Sequence, residues 1–179
     1  DRNCYEAWTL LAALAVATSK LRLGTLVTCN SYRHPSLLAK MAAGIDAISG
    51  GRVDFGIGAG WKEAEYRAYG YDFPGIGTRQ AQMSEAIDLT RLLWTEPYAD
   101  FAGVHYRLER AVCAPKPVQT PMPIWVGGHG DKLLRIVAEK AVLRRLVEAG
   151  TRIVQMGYAS EGEVTDLVNN AQAEIYGVT

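Results

Sequence analysis

The chain has no excess of either charge: lysine plus arginine equals aspartate plus glutamate, at 19 each. It therefore generates no basic field to draw nucleic acid or an anionic membrane, and neither is expected as a partner. Cysteine is scarce. Cys4, Cys29 and Cys113 are odd in number and lack C-x-x-C spacing, which argues against a disulfide framework and a zinc site and suits a reducing cytoplasm. No metal is expected. No apolar run approaches the roughly 18 residues of a membrane helix. Leu10 to Val16 is apolar but lacks the basic leader and cleavage context of a signal peptide. Internal repeats, low-complexity runs and the G-x-G-x-x-G dinucleotide fingerprint are missing too. What remains is a chain of 179 residues, 49% hydrophobic, large enough to bury a core as a single domain over 1–179. It opens without methionine inside a helix-like pattern, as the interior of a longer protein would.

The most informative stretch is Arg52-Val53-Asp54-Phe55-Gly56-Ile57-Gly58-Ala59-Gly60-Trp61. Val53, Phe55 and Ile57 have the strand period and β-favouring side chains, and Gly50-Gly51 supplies the turn before them. Gly56, Gly58 and Gly60 strip side chains from the carboxyl end, where a ligand's flat ring or phosphate could meet bare backbone. The alternative is a sterically crowded strand end with no ligand.

Around it, helical and strand patterns alternate. Tyr5 to Thr18 predicts an alanine-rich helix with Trp8, Leu11, Ala12 and Ala15 on one face. Leu21 to Val27 predicts a strand, and Thr28 to Arg33 a polar loop at its end. Proline at the first position starts a helix after His34, with Leu38, Met41, Ile45 and Ile48 as its apolar stripe and Ser49-Gly50-Gly51 as its stop. Lys62 to Tyr69 reads as a short charged helix. Thr78 is expected to cap the next one, which keeps Met83, Ile87, Thr90, Leu93 and Trp94 on one face. Tyr98 to Leu108 suggests a hairpin, and the four prolines of Ala111 to Pro123 an irregular crossing. Ile124-Trp125-Val126 predicts a buried strand leading into a helix over Asp131 to Lys140. At Ala141-Val142 two helical patterns meet with no strand between them; Arg152 to Met156 then reads as a strand and Glu161 to Tyr176 as a helix.

Strand, loop and helix recur four times, the grammar of a parallel sheet covered by helices. Four units are too few to close a barrel of roughly 250 residues, and an open doubly wound sheet would also accept them. In either case Val27-Thr28, Gly58-Ala59-Gly60-Trp61 and Gly127-Gly128-His129-Gly130 end on one face and converge. The last precedes a helix, whose positive end suits a phosphate, and Gly128 and Gly130 would let backbone wrap it.

These residues carry a resemblance. Leu23-Gly24-Thr25-Leu26-Val27-Thr28 with Tyr32-Arg33-His34-Pro35, then Ile48 to Trp61, resembles the bacterial luciferase-like monooxygenase superfamily, and Glu65 to Gly70, the proline loop before Arg79 and Pro123 to Gly128 extend the match. The branch it resembles most is the actinobacterial set assigned to the deazaflavin coenzyme F420. The resemblance implies an α/β TIM (β/α)8 barrel, here incomplete, with βα units before Tyr5 and a section at residues 141/142 absent.

Carried over by position, Leu26, Val27 and Thr28 match a bulged strand with a non-prolyl cis peptide pressed against the cofactor ring. Gly58, Ala59, Gly60 and Trp61 match the next strand end; Trp61 departs from branches with a catalytic glutamate there, and Ala59 from the luciferases' phosphate arginine. Arg79 matches an arginine holding the cofactor phosphate, with an exposed helix-start arginine as the alternative. Gly127, Gly128, His129 and Gly130 match the phosphate-proximal turn. No catalytic residue is assigned. His34 is expected to cap its helix, His105 to be solvated, Tyr66, Arg67 and Tyr69 to lie on a helix surface, with lining of the cofactor tail as the alternative, and Cys29 to be a small hydrophobe.

The resemblance implies a cytoplasmic oxidoreductase passing hydride between F420 and an organic small-molecule substrate. The alternatives are an FMN-dependent monooxygenase using reduced flavin and O2, tilted against by Ala59, and a non-catalytic flavin-binding or dimeric scaffold. A homodimer is implied, through the helices of Leu38 to Ile48 and Met83 to Trp94.

Overall fold

Parallel pairing on both edges makes Val53–Gly58 the central strand in a computed structural model of the chain, which describes residues 4–128 and residue 136. In chain order the elements are α1 (Ala7–Ala17), β1 (Leu23–Gly24), β2 (Thr28–Cys29), a 3₁₀ turn (Asn30–Tyr32), α2 (Pro35–Ser49), β3 (Val53–Gly58), α3 (Glu63–Tyr69), α4 (Ile76–Thr95), β4 (Ala99–Ala102), β5 (Arg107–Ala111) and β6 (Ile124–Gly127). β1 and β2 run along one edge of β3, with Leu23 opposite Val53 and Thr28 opposite Ile57. β6 runs along the other, with Phe55 opposite Ile124 and Gly58 opposite Gly127. β4 and β5 form a separate antiparallel hairpin. The described residues belong to a compact unit over Asp1–Leu143; the expectation of a single domain over 1–179 reaches beyond them.

Alternation along β3 sends Val53, Phe55 and Ile57 to one face, where all three are fully buried under the helices. Trp8 of α1 and Trp94 of α4 meet Phe55 at centroid distances of 5.8 and 5.3 Å. Leu38, Ala39, Ala42 and Ala43 bring α2 down on the same core. The alanines let helix and sheet approach closely, and burial of the large side chains contributes about 1.5–3 kcal/mol each.

Two charged groups, the half-buried Arg52 and the fully buried Asp46, tie the elements together. Arg52 donates to the carbonyls of Ala15, Thr18, Leu21 and Ser49 at 2.7–2.8 Å, which sets a cation against the carboxyl end of α1. Asp46 of α2 accepts from the backbone of Val53, Val118 and Gln119 and from the Gln119 amide, pinning the proline-rich crossing to β3.

Several expectations change. The strand read over Leu21 to Val27 is broken: β1 stops at Gly24, and Thr25–Val27 bulge out around a cis Leu26–Val27 peptide before pairing resumes at Thr28. The predicted loop at Thr28 therefore begins as strand. Ile48 is 58% exposed, because the helical stripe has rotated off the core by the last turn of α2, where Ser49 is buried instead. Thr78 does not cap α4, whose first residue is Ile76 after an extended Gly75 with no side-chain cap. His34 does cap α2, its ring nitrogen accepting from the Ser36 N–H. The patterns read at Asp131 to Lys140, Ala141-Val142, Arg152 to Met156 and Glu161 to Tyr176 lie outside the described residues, Ile136 apart.

Candidate functional site

Register brings three of the sequence's strand ends together: Cys29 of β2 is opposite Gly58, and Gly58 is opposite Gly127 of β6. The Val27 side chain crosses this junction. An ideal Cβ added to either Gly58 or Gly127 would fall 2.7 Å from Val27 Cγ2, and one on Gly56 would fall on the Thr25 carbonyl. The glycines thus make room for the Thr25–Val27 bulge; the space beside them is filled by protein. Leu26 is turned outward and 71% exposed, as is Trp61 at 67%. Thr28 points the other way, buried, with its hydroxyl accepting from Trp8 Nε1 at 3.2 Å. Ala59 is buried, Gly60 has φ 76°, and Gly128 is exposed with φ 144°. His129 and Gly130 lie outside the described residues.

Beyond the end of β3, polar and aromatic groups gather around Tyr66. Expected on a helix surface, Tyr66 is fully buried, since the short helix α3 lies with this one residue turned into the strand ends. Its phenol oxygen is 3.0 Å from Cys29 Sγ, 2.9 Å from Ser31 Oγ and 3.4 Å from the Ala59 carbonyl. Burial, and next the contact with Cys29, push its ionisation up to about 12, so it remains a neutral hydrogen-bonding group across physiological pH. Cys29, read as a small hydrophobe, is half-buried and joined to that phenol. Tyr32 stands edge-on to Tyr66 at 5.1 Å and stacks on Tyr71 at 5.0 Å. Burial and the Glu65 carboxylate raise the Tyr32 phenol's ionisation too.

Arg79 belongs to the same assembly. It sits in the first turn of α4 and is only 6% exposed, which corrects the alternative of an exposed helix-start arginine. Its guanidinium lies over the Phe73 ring, 4.0 Å from the centroid, and donates through Nη1 to the Pro74 carbonyl. Phe73 in turn packs edge-on against Tyr66 at 4.8 Å. Arg79 Nε is buried with no hydrogen-bond partner, and no carboxylate among the described residues pairs with Arg79. The first turn of α4 carries no acidic residue and no side-chain cap, so its positive end is uncompensated there.

His105, expected to be solvated, is half-buried; its backbone N–H bonds Glu85 at 2.9 Å. No group of three or more metal-ligating side chains occurs among the described residues, and no helix among them is long and apolar enough to cross a membrane. The arrangement offers exposed apolar surface at Leu26 and Trp61, an arginine with no carboxylate partner among the described residues, and a helix N-terminus without a side-chain cap. Exposed apolar side chains can pack on a ring, and an arginine or a helix N-terminus can meet an anion; no carboxylate or imidazole stands among the described candidate residues for proton transfer. Phe73 goes unmarked in the sequence pattern, and Tyr66 is buried where a helix surface was expected. The signal available was their aromatic character within a charged, proline-containing stretch.

Known proteins match this same part of the chain. The chain is 37% identical over 139 residues to the pyrimidine monooxygenase RutA of Stutzerimonas stutzeri, matching 76% of the chain and 38% of that protein. Among solved structures, monooxygenase RslO1 from Streptomyces bottropensis superposes with TM-score 0.62 and 30% identity, over 68% of the chain and 36% of its own. The coenzyme F420-dependent tetrahydromethanopterin reductase of Methanopyrus kandleri superposes with TM-score 0.66 and 26% identity, over 76% and 43%. The chain thus spans well under half the length of these relatives. Together with the barrel-like strand and helix order, they identify the fold as the α/β luciferase-like TIM barrel, of which the described residues form an arc. Residues 1–143 match the family described as luciferase-like monooxygenase, and the chain belongs to that family.

Proposed function

We propose that the chain is part of an F420-dependent oxidoreductase that transfers hydride between the deazaflavin and a small organic substrate. The observation that carries this reading is the meeting of three strand ends, Cys29, Gly58 and Gly127, in one register beside a buried arginine without a carboxylate partner. The residues fit such a group. Leu26, Val27 and Thr28 would form the bulge against the ring, with Leu26 as the exposed contact and Val27 and Thr28 as its support. Gly58, Ala59, Gly60 and Trp61 would hold the adjoining strand end. Arg79 and the open N-terminus of α4 would meet phosphate, as would Gly127 and Gly128, with His129 and Gly130 beyond them. When bound, F420 supplies a two-electron hydride carrier; the protein's task is positioning and electrostatics.

A second reading, an FMN-dependent monooxygenase using reduced flavin and O2, is favoured by the RutA relative. Titrating the purified protein separately with F420 and FMN, followed by absorbance and fluorescence, distinguishes the two. Saturable binding of F420 alone is expected; tight binding of FMN with none of F420 would install the second reading, and binding of neither would leave a silent scaffold. The same reading carries a homodimer through the faces of α2 and α4, to be checked by sedimentation, and a cytoplasmic setting suited to three unpaired thiols.

A further inference from the structure

We propose that Phe73 is a positioning residue that sets the Arg79 guanidinium for binding the phosphoryl group of the cofactor. The inference rests on the phosphate-facing reading of Arg79. An arginine side chain has several rotatable bonds, and ordering it at the moment of binding costs affinity. Here the ordering is built in. The Phe73 ring lies under the guanidinium face at 4.0 Å, and the next residue's carbonyl, at Pro74, takes one edge through Nη1. Phe73 is itself fixed, with its ring edge-on to the fully buried Tyr66 at 4.8 Å. Tyr66 is anchored by its hydroxyl to Cys29, Ser31 and Ala59 at the ends of β2 and β3. A rigid line therefore runs from the strand ends through Tyr66 and Phe73 to Arg79. The line leaves Arg79 with hydrogen-bonding capacity unspent: Nε is buried and unpartnered, and no carboxylate among the described residues neutralises the charge. A ring under one face attracts the cation without occupying its N–H groups, which a carboxylate in the same place would consume. That distinguishes a held, ligand-ready arginine from a structural ion pair.

The test compares dissociation constants for ligand pairs that differ only in the phosphate: FMN against riboflavin, and the ribityl deazaflavin 5'-phosphate against the same ribityl deazaflavin without it. Phe73→Leu is expected to weaken the phosphate-bearing member of the pair that binds by about tenfold and to leave its phosphate-free partner unchanged. Phe73→Tyr, which keeps the ring, should restore wild-type affinity. Adding Phe73→Leu to Arg79→Gln should cost nothing further, because the ring acts through the arginine. Equal weakening of both members of a pair, no weakening of either, or additive losses in the double variant would overturn the positioning role. If Phe73→Leu does not fold, Phe73→Met takes its place with the same criteria. The underlying reading fails separately: wild-type protein with no preference for phosphate-bearing ligands, or Arg79→Gln with no phosphate-specific loss, removes Arg79 from the site.

Discussion

The phenol oxygen of Tyr66 stands where any side chain at position 60 would begin: an ideal Cβ on Gly60 would lie 2.0 Å from it and 2.7 Å from Cys29 Sγ. Gly60 also has a left-handed φ of 76°, which an L-residue adopts at a cost. Gly60→Ala should therefore destabilise the fold by about 3 kcal/mol, the sum of overpacking and backbone strain. In a Tyr66→Phe background, where the oxygen is gone, about half of that loss should disappear. Urea denaturation of the four proteins in the cycle measures it, and strict additivity would mean that the two residues do not collide.

Asp46 is a fully buried carboxylate whose two oxygens accept four hydrogen bonds, the shortest being 2.7 Å from Val118 N. Asp46→Asn turns an acceptor into a donor facing N–H groups. A loss of about 3 kcal/mol is expected, with the proline-rich crossing loosened first. Hydrogen exchange at Val118 and Gln119 would report it; unchanged protection there would refute the pinning role.

Thr28 holds the indole N–H of Trp8, both residues buried. Thr28→Val preserves shape and strips the acceptor, leaving a buried donor unsatisfied at a cost of about 1–3 kcal/mol. Thr28→Ser should behave as wild type. Equal stability of the Val and Ser variants in chemical denaturation would contradict this.

Glu85 governs the hairpin's acid response. Burial alone would raise its ionisation, but the backbone N–H groups of His105, Val104 and Tyr106, helped by the His105 charge, more than reverse that and hold it below the ordinary carboxylate value. The folded value being lower than the unfolded one, about 4.3, its stabilisation is complete above that pH and disappears as pH falls through the folded value. Glu85→Gln should flatten this part of the stability profile between about pH 5 and 3. Superimposable acid limbs for the two proteins would count against it.

Much of the arc was legible because its signals are local. Val53, Phe55 and Ile57 declare their face by alternation, and Pro35 declares the start of α2. Ile48 and Thr78 misled because a helix's last turn and its first residue depend on rotation and on the backbone at Gly75, which period and propensity do not report. The glycine run announced missing side chains, but not what fills the gap: Val27 comes from the neighbouring strand through a bulge. Arg79's burial depends on Phe73 and Pro74 folding over it, a contact made by loop geometry. Tyr66 hid in a helix of charged residues because α3 turns only one side inward.

Central position gives β3 a history as well as a place. Its first edge is met by β1 and β2, which leave the ribosome before it, while its second waits for β6, made after two helices, a hairpin and a proline-rich crossing. During that interval the nascent chain carries an apolar strand with one unpaired edge, the kind of template that recruits other chains. Gly56 and Gly58 lie within that edge, and glycine is a poor strand former. The same residues that admit Val27 in the finished fold thus make its waiting strand a weaker partner for strangers.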